Sequence, residues 1–131
     1  MKLRAFCLFF LTALLVPLAR ADDAPAPAKP KTFVYVLHLV PRLHDDKAWT
    51  KEDSAIVGRH LQRLKDATAA GTVVFAGRTT ESGDKTFGLV VFEAANASEA
   101  KAFADADPTV IGGVMTVDVH PFALVLQRGR S

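Results

Sequence analysis

The residues of this chain best suited to chemistry are a histidine at position 60 and an aspartate at position 107. His60 falls inside an apolar stripe, with Ile56 four residues before it and Leu64 four after. Asp107 continues a second stripe made by Ala100, Phe103 and Ala104. Pro108 disfavours a helical backbone at Asp107 and so places it at a helix end. An ionisable group on an inward face is costly unless it is paired, so the two are expected to meet. A carboxylate bound to one imidazole nitrogen fixes the tautomer and stabilises the imidazolium. The pair then moves a proton near neutral pH, an effect of ~10²–10⁴-fold in rate. The same contact also serves as a clasp that locks two helices together, and the residues alone leave both readings open.

Other candidates stand around this pair. Arg78 follows Gly77 at an expected strand end and is placed to meet an anionic substrate. His38, on a strand face with Val36 and Val40, and Tyr35, able to stack on a ligand, are further candidates for substrate binding. His44 neighbours Asp45 and Asp46, but the spacing fits no defined metal site, and no metal or cofactor is expected. Trp49 precedes the Thr50 cap and reads as a hydrophobic staple. His120 stands before Pro121 at an edge or interface. There is no serine in a nucleophile-elbow motif.

The elements that must position these groups are legible from periodicity and caps. Phe33 to Val40 is rich in β-branched and aromatic residues and reads as a strand covered on both faces. Arg42 to Trp49 reads as a polar loop. Thr50 with Asp53 three positions on opens a helix that runs to about Ala70, with Gly71 beyond its end. Ile56, Val57, Leu61, Leu64 and Ala67 share its inward stripe, and Arg59, Arg63 and Lys65 point elsewhere. Thr72 to Ala76 and Thr86 to Phe92 read as strands joined by a turn over Gly77 to Lys85, where Gly83 takes a special backbone angle. Asn96 and Glu99 cap a second helix. Val114 to Leu126 reads as the last strand, interrupted at Pro121.

The first residues belong to a different physical class. Lys2 and Arg4 precede an apolar run from Ala5 to Leu18, followed by Ala19-Arg20-Ala21, the pattern of an export signal occupying 1–21. The run has 14 residues, short of the ~20 that span a bilayer. Cleavage after Ala21 removes three basic residues and leaves a net charge of about −1, which argues against a nucleic-acid partner. It also removes Cys7, the only cysteine. A periplasmic or secreted domain without disulfides must then rely on an apolar core or on oligomerisation. Residues 22–32 carry three prolines and read as a disordered linker, ahead of a folded domain over 33–127 and a tail over 128–131.

The element order β-α-β-β-α-β is the ferredoxin-like pattern, an α+β fold. Two helices cover one face of a four-stranded sheet, yet several strands are apolar on both faces, so a homodimer that buries the second face is expected. The chain resembles the YciI-like (YCII-related) family from about Phe33 to Leu126. The resemblance rests on Gly58-Arg59-His60-Leu61-Gln62-Arg63-Leu64, Phe75-Ala76-Gly77, Phe87 to Ala94, Ala104-Asp105-Ala106-Asp107-Pro108 and Val119-His120-Pro121-Phe122. It implies a dimeric α/β-barrel of ferredoxin-like subunits, with a His and an Asp, here His60 and Asp107, as the suspected active site. It also implies lyase, dehydrohalogenase or isomerase chemistry on a small molecule. Two positions depart from the family pattern: Arg78 stands where a proline is frequent, and His120 where a basic residue commonly precedes Pro-Phe. A non-catalytic dimeric binding or structural module is the alternative function.

Overall fold

The computed structural model describes residues 29–129. The expected signal and nearly all of the linker lie outside the described residues. Strand β1 (Lys31–Leu39) begins two residues earlier than the pattern indicated and takes the end of the expected linker into the sheet. It is followed by α1 (Lys51–Ala69), β2 (Val73–Arg78), β3 (Phe87–Ala94), α2 (Ala97–Asp105), the short α3 (Pro108–Ile111) and β4 (Met115–Pro121). The sheet is antiparallel with order β2-β3-β1-β4, and the helices pack on one of its faces in a ferredoxin-like α+β fold.

Local chemistry explains the helix boundaries. The Thr50 hydroxyl accepts from the Asp53 amide at 3.1 Å, and the Asp53 carboxylate accepts from the Thr50 amide at 2.9 Å, which satisfies two otherwise unpaired donors at the start of α1. Asp53 also takes a two-pronged ion pair from Arg42. Hydrogen bonds from Arg42 and Thr50 hold its carboxyl well below the usual range. At the other end Gly71 adopts φ +83° while Thr72 N–H reaches the Ala67 carbonyl, the left-handed exit that only glycine makes without strain. Asn96 caps α2 by accepting from the Glu99 amide.

Several boundaries differ from the expectation. The segment before α1 is not merely a polar loop: two turns of 3-10 helix (Pro41–His44 and Asp46–Ala48) bury Leu43 against Ile56 and Val114. Trp49 packs on this cluster, and its indole donates to the Leu43 carbonyl at 3.1 Å. β2 continues through Gly77 and Arg78, which the pattern had assigned to the turn. β4 ends at Pro121, the Phe122 amide still donates to the Thr32 carbonyl of β1 at 2.9 Å, and beyond it the chain leaves the sheet. The main core lies between sheet and helices, with Phe33, Tyr35 and Leu37 of β1 and Val90 and Phe92 of β3 against Leu64, Ala100 and Ala104.

β2 carries a bulge. Val73 stands opposite Phe92, but Phe75 stands opposite Val91, so two steps along β2 match one step along β3. The extra residue reverses which side chains face the helices from that point on. Ala76 and Arg78 then align with Val90 and Gly88 on the helix side, and Phe75 turns to the far face. The far face also carries Val34, Val36 and His38 of β1 and Phe87 and Leu89 of β3.

Candidate active site

Asp107 is fully buried and lies on neither helix stripe. α2 ends at Asp105, and Asp107 takes an extended backbone (φ −67°, ψ 131°) as the N-cap of α3, whose first residue is Pro108. The proline therefore does more than end the helix: it separates α2 from α3, and the aspartate fills the junction. The sequence expectation of a carboxylate on the α2 face is corrected accordingly.

Four side chains and one amide converge on this carboxylate. Oδ1 accepts from the Thr109 amide at 2.9 Å and the Thr109 hydroxyl at 2.6 Å. Oδ2 accepts from the Tyr35 hydroxyl at 2.9 Å. His60 Nδ1 lies 2.8 Å from Oδ2 and 2.9 Å from Oδ1. Arg63 Nη1 stands 3.5 Å from Oδ2, with its guanidinium 4.1 Å above the Phe103 ring and Nη2 donating to the Phe103 carbonyl. Burial works to raise the Asp107 carboxyl, but the donors from His60 and Thr109 outweigh it and hold it at about 2, below its ordinary 3.8. Burial, together with the neighbouring Asp107 charge, pushes the Tyr35 phenol far above its usual 10.0.

These directions assign the histidine tautomer. An ionised carboxylate only accepts, so His60 Nδ1 carries the hydrogen between them. In the neutral ring Nε2 is then the basic nitrogen, and among the described residues it has no hydrogen-bond partner. The His60 side chain is 14% exposed and forms part of the wall of a cavity of about 320 Å³ between α1 and the β2–β3 side of the sheet. Leu37, Leu61, Leu64, Val90, Met115 and Arg78 are among the residues that line it.

The structure thus brings His60 to Asp107 and places His60 and Arg78 on one cavity. It does not place Tyr35 or His38 there. Tyr35 is fully buried behind the pair, where it holds the carboxylate rather than facing a ligand. His38 projects from the opposite face of the sheet, 6.0 Å from the Phe87 ring, because it is one residue out of phase with Leu37. Leu61, expected on the inward stripe, is 52% exposed at the cavity mouth. The residues missed were Thr109 and Arg63. Thr109 had a sequence signal, since Asp-Pro-Thr is a cap followed by a proline at the first helical position. Arg63 stood one turn beyond His60 and was assigned outward; its stem instead lies across Phe103. Among the described residues no group of three or more His, Cys, Asp or Glu could hold a metal ion.

The architecture has counterparts among known proteins. The solved structure of the 5-chloro-2-hydroxyhydroquinone dehydrochlorinase TftG from Burkholderia phenoliruptrix AC1100, in complex with 2,5-dihydroxybenzoquinone, is similar with a TM-score of 0.50 at 19% identity. The match covers 70% of this chain and 93% of that one, and the likeness is one of fold. A comparison with curated proteins finds no match. The family model of the YCII-related domain matches residues 35–123, a span that holds both His60 and Asp107, and the chain belongs to that family.

Proposed function

We propose that this protein is a small-molecule enzyme in which His60 is the general acid/base and Asp107 its orienting carboxylate. The observation that carries the reading is the 2.8 Å contact between His60 Nδ1 and a buried carboxylate, made by a histidine that also lines a cavity. Nε2 takes a proton from a ring carbon or hydroxyl of the substrate. The electron pair left behind moves toward a carbonyl or expels a leaving group such as halide. Asp107 stays ionised and stabilises the imidazolium, which then returns its proton to the substrate or to solvent. Elimination, dehydrohalogenation and isomerisation share this step, and the dehydrochlorinase activity named for the structural neighbour is of this kind.

One observation favours a second reading, a non-catalytic binding or structural module. The donors to Asp107 come from β1, α1 and α3, so the carboxylate also ties three elements together. Replacement of His60 by Asn separates the two. The enzyme reading expects a folded variant whose turnover of chlorinated hydroxyhydroquinones or related small ring compounds falls ~10²–10⁴-fold. A variant whose turnover falls only in proportion to the fraction that has lost its fold favours the clasp.

Two further proposals concern the setting of the site. The sheet face turned from the helices carries Val34, Val36, Phe87 and Leu89, and stacking of two such faces would form a homodimer, which light scattering on the purified protein tests. Export with cleavage after Ala21 is tested by the mass of the protein recovered outside the cytoplasm; a chain that keeps residues 1–21 refutes it.

A further inference from the structure

We infer that Arg78 makes the cavity selective for a small apolar acid, its guanidinium holding the substrate's carboxylate while the apolar body lies beside His60. The inference rests on the cavity being the substrate site. Its first support is the charge of the lining. Among the described residues no acidic side chain lines the cavity, and Arg78 is its one permanently charged group, set beside Leu37, Leu61, Leu64 and Met115. A cation finds no counter-charge there, and an anion finds the Arg78 guanidinium, which is itself exposed and open to a partner. At about 320 Å³ the space stands at the small end of ligand sites.

The second support is that Arg78 is unspent. Arg42 pairs with Asp53, Arg59 with Glu52, and Arg63 lies on Phe103 beside Asp107. Among the described residues Arg78 has only a 3.3 Å hydrogen bond to the carbonyl of its neighbour Thr79. Asp46 and Glu81 line an adjoining depression that also touches Arg78, yet neither comes within ion-pair distance. The third support is its aim. The β2 bulge turns Arg78 to the helix side, and its cross-strand neighbour there is Gly88, which has no side chain to occupy the adjacent space. A planar fork in such a place recognises a carboxylate with two parallel hydrogen bonds.

Calorimetric titration of the mature protein with benzoate, and with benzyl alcohol as its uncharged counterpart of similar shape, tests this. Benzoate binds at least about tenfold more tightly than the alcohol, equivalent to ~1.4 kcal/mol. Arg78→Gln removes that preference and leaves the affinity for benzyl alcohol unchanged, and Arg78→Lys retains part of it. The preference of the unmodified protein also falls as salt is raised. This arm stands even where a variant folds poorly. Absence of the preference, its persistence in Arg78→Gln, or failure of benzoate to bind at millimolar concentration overturns the inference. The two readings of the site fail separately. A carboxylate preference without any turnover that depends on His60 removes the enzyme and keeps the anion site. Turnover of neutral rings that depends on His60, without the preference, removes the anion site alone.

Discussion

Replacing Asp107 by Asn probes the whole network by exchanging one carboxylate oxygen for NH₂, which removes the charge and adds a donor. The backbone amide of Thr109 can only donate, and it points at Oδ1. The asparagine oxygen must therefore occupy that position, which puts its NH₂ where Oδ2 received His60 and Tyr35. The NH₂ now faces His60 Nδ1 from the Oδ2 position while the oxygen at Oδ1 still lies 2.9 Å from it, so the ring loses the anion that fixed its tautomer and that stabilises the imidazolium. An equivalent change in a Ser-His-Asp triad lowers turnover by about 10⁴, and a loss of at least ~10²-fold is expected here.

The stability change follows from the carboxyl itself. Held at about 2 in the folded protein against an ordinary 3.8, it contributes roughly 2–3 kcal/mol at neutral pH. Loss of charge-assisted bonds from His60 and Tyr35, at ~1.5–3 kcal/mol each with part regained by the amide, gives a similar figure. Because the folded value is depressed, the contribution is complete well above pH 4 and disappears as the pH falls toward 2. Urea denaturation of the two proteins at a series of pH values should therefore show a gap of ~2–3 kcal/mol at pH 7 that closes in acid. The depressed Asp53 is common to both proteins and cancels from the difference. Equal stability at pH 7, or a gap that widens in acid, would refute the assignment of Asp107 as the buried anion of the network.

Two further predictions test the surroundings of the pair. Tyr35 is the only tyrosine, so ultraviolet titration reads it directly: no tyrosinate absorbance should develop near pH 10 until the protein unfolds, and an ordinary midpoint would show the phenol to be exposed. Gly112→Ala should destabilise the fold by ~1–3 kcal/mol in thermal melts, because an added Cβ would lie 2.6 Å from Ile56 Cδ1 and 3.0 Å from the Pro108 carbonyl; an unchanged melting temperature would mean that α1 and α3 are packed less closely than described.

Asp107 shows how a residue can be chosen rightly for an incomplete reason. The stripe argument placed it on the α2 face, whereas its position comes from capping α3 after Pro108. Its burial was legible from the neighbouring apolar residues. Its bond to Tyr35, 72 positions away, was not, since nothing in a strand pattern says which buried hydroxyl meets which carboxylate. His38 fails for the opposite reason. Its alternation with Leu37 was plain in the sequence, but which of two apolar faces lies under the helices is settled by packing.

What the chain determines by itself is chemistry that closes within a few residues. Thr50 with Asp53, Asn96 with Glu99, and Gly71 after α1 specify where the helices start and stop, because caps satisfy backbone groups only three or four positions away. The 3.6-residue period likewise carries His60 to the inner side of α1. Tertiary structure alone decides what lies across the sheet. A single extra residue in β2 reverses the facing of everything after it, and this turns Arg78 from a turn charge into part of the cavity wall. A bulge is a mismatch between two strands, so it exists only once they pair, and no periodicity within one of them records it.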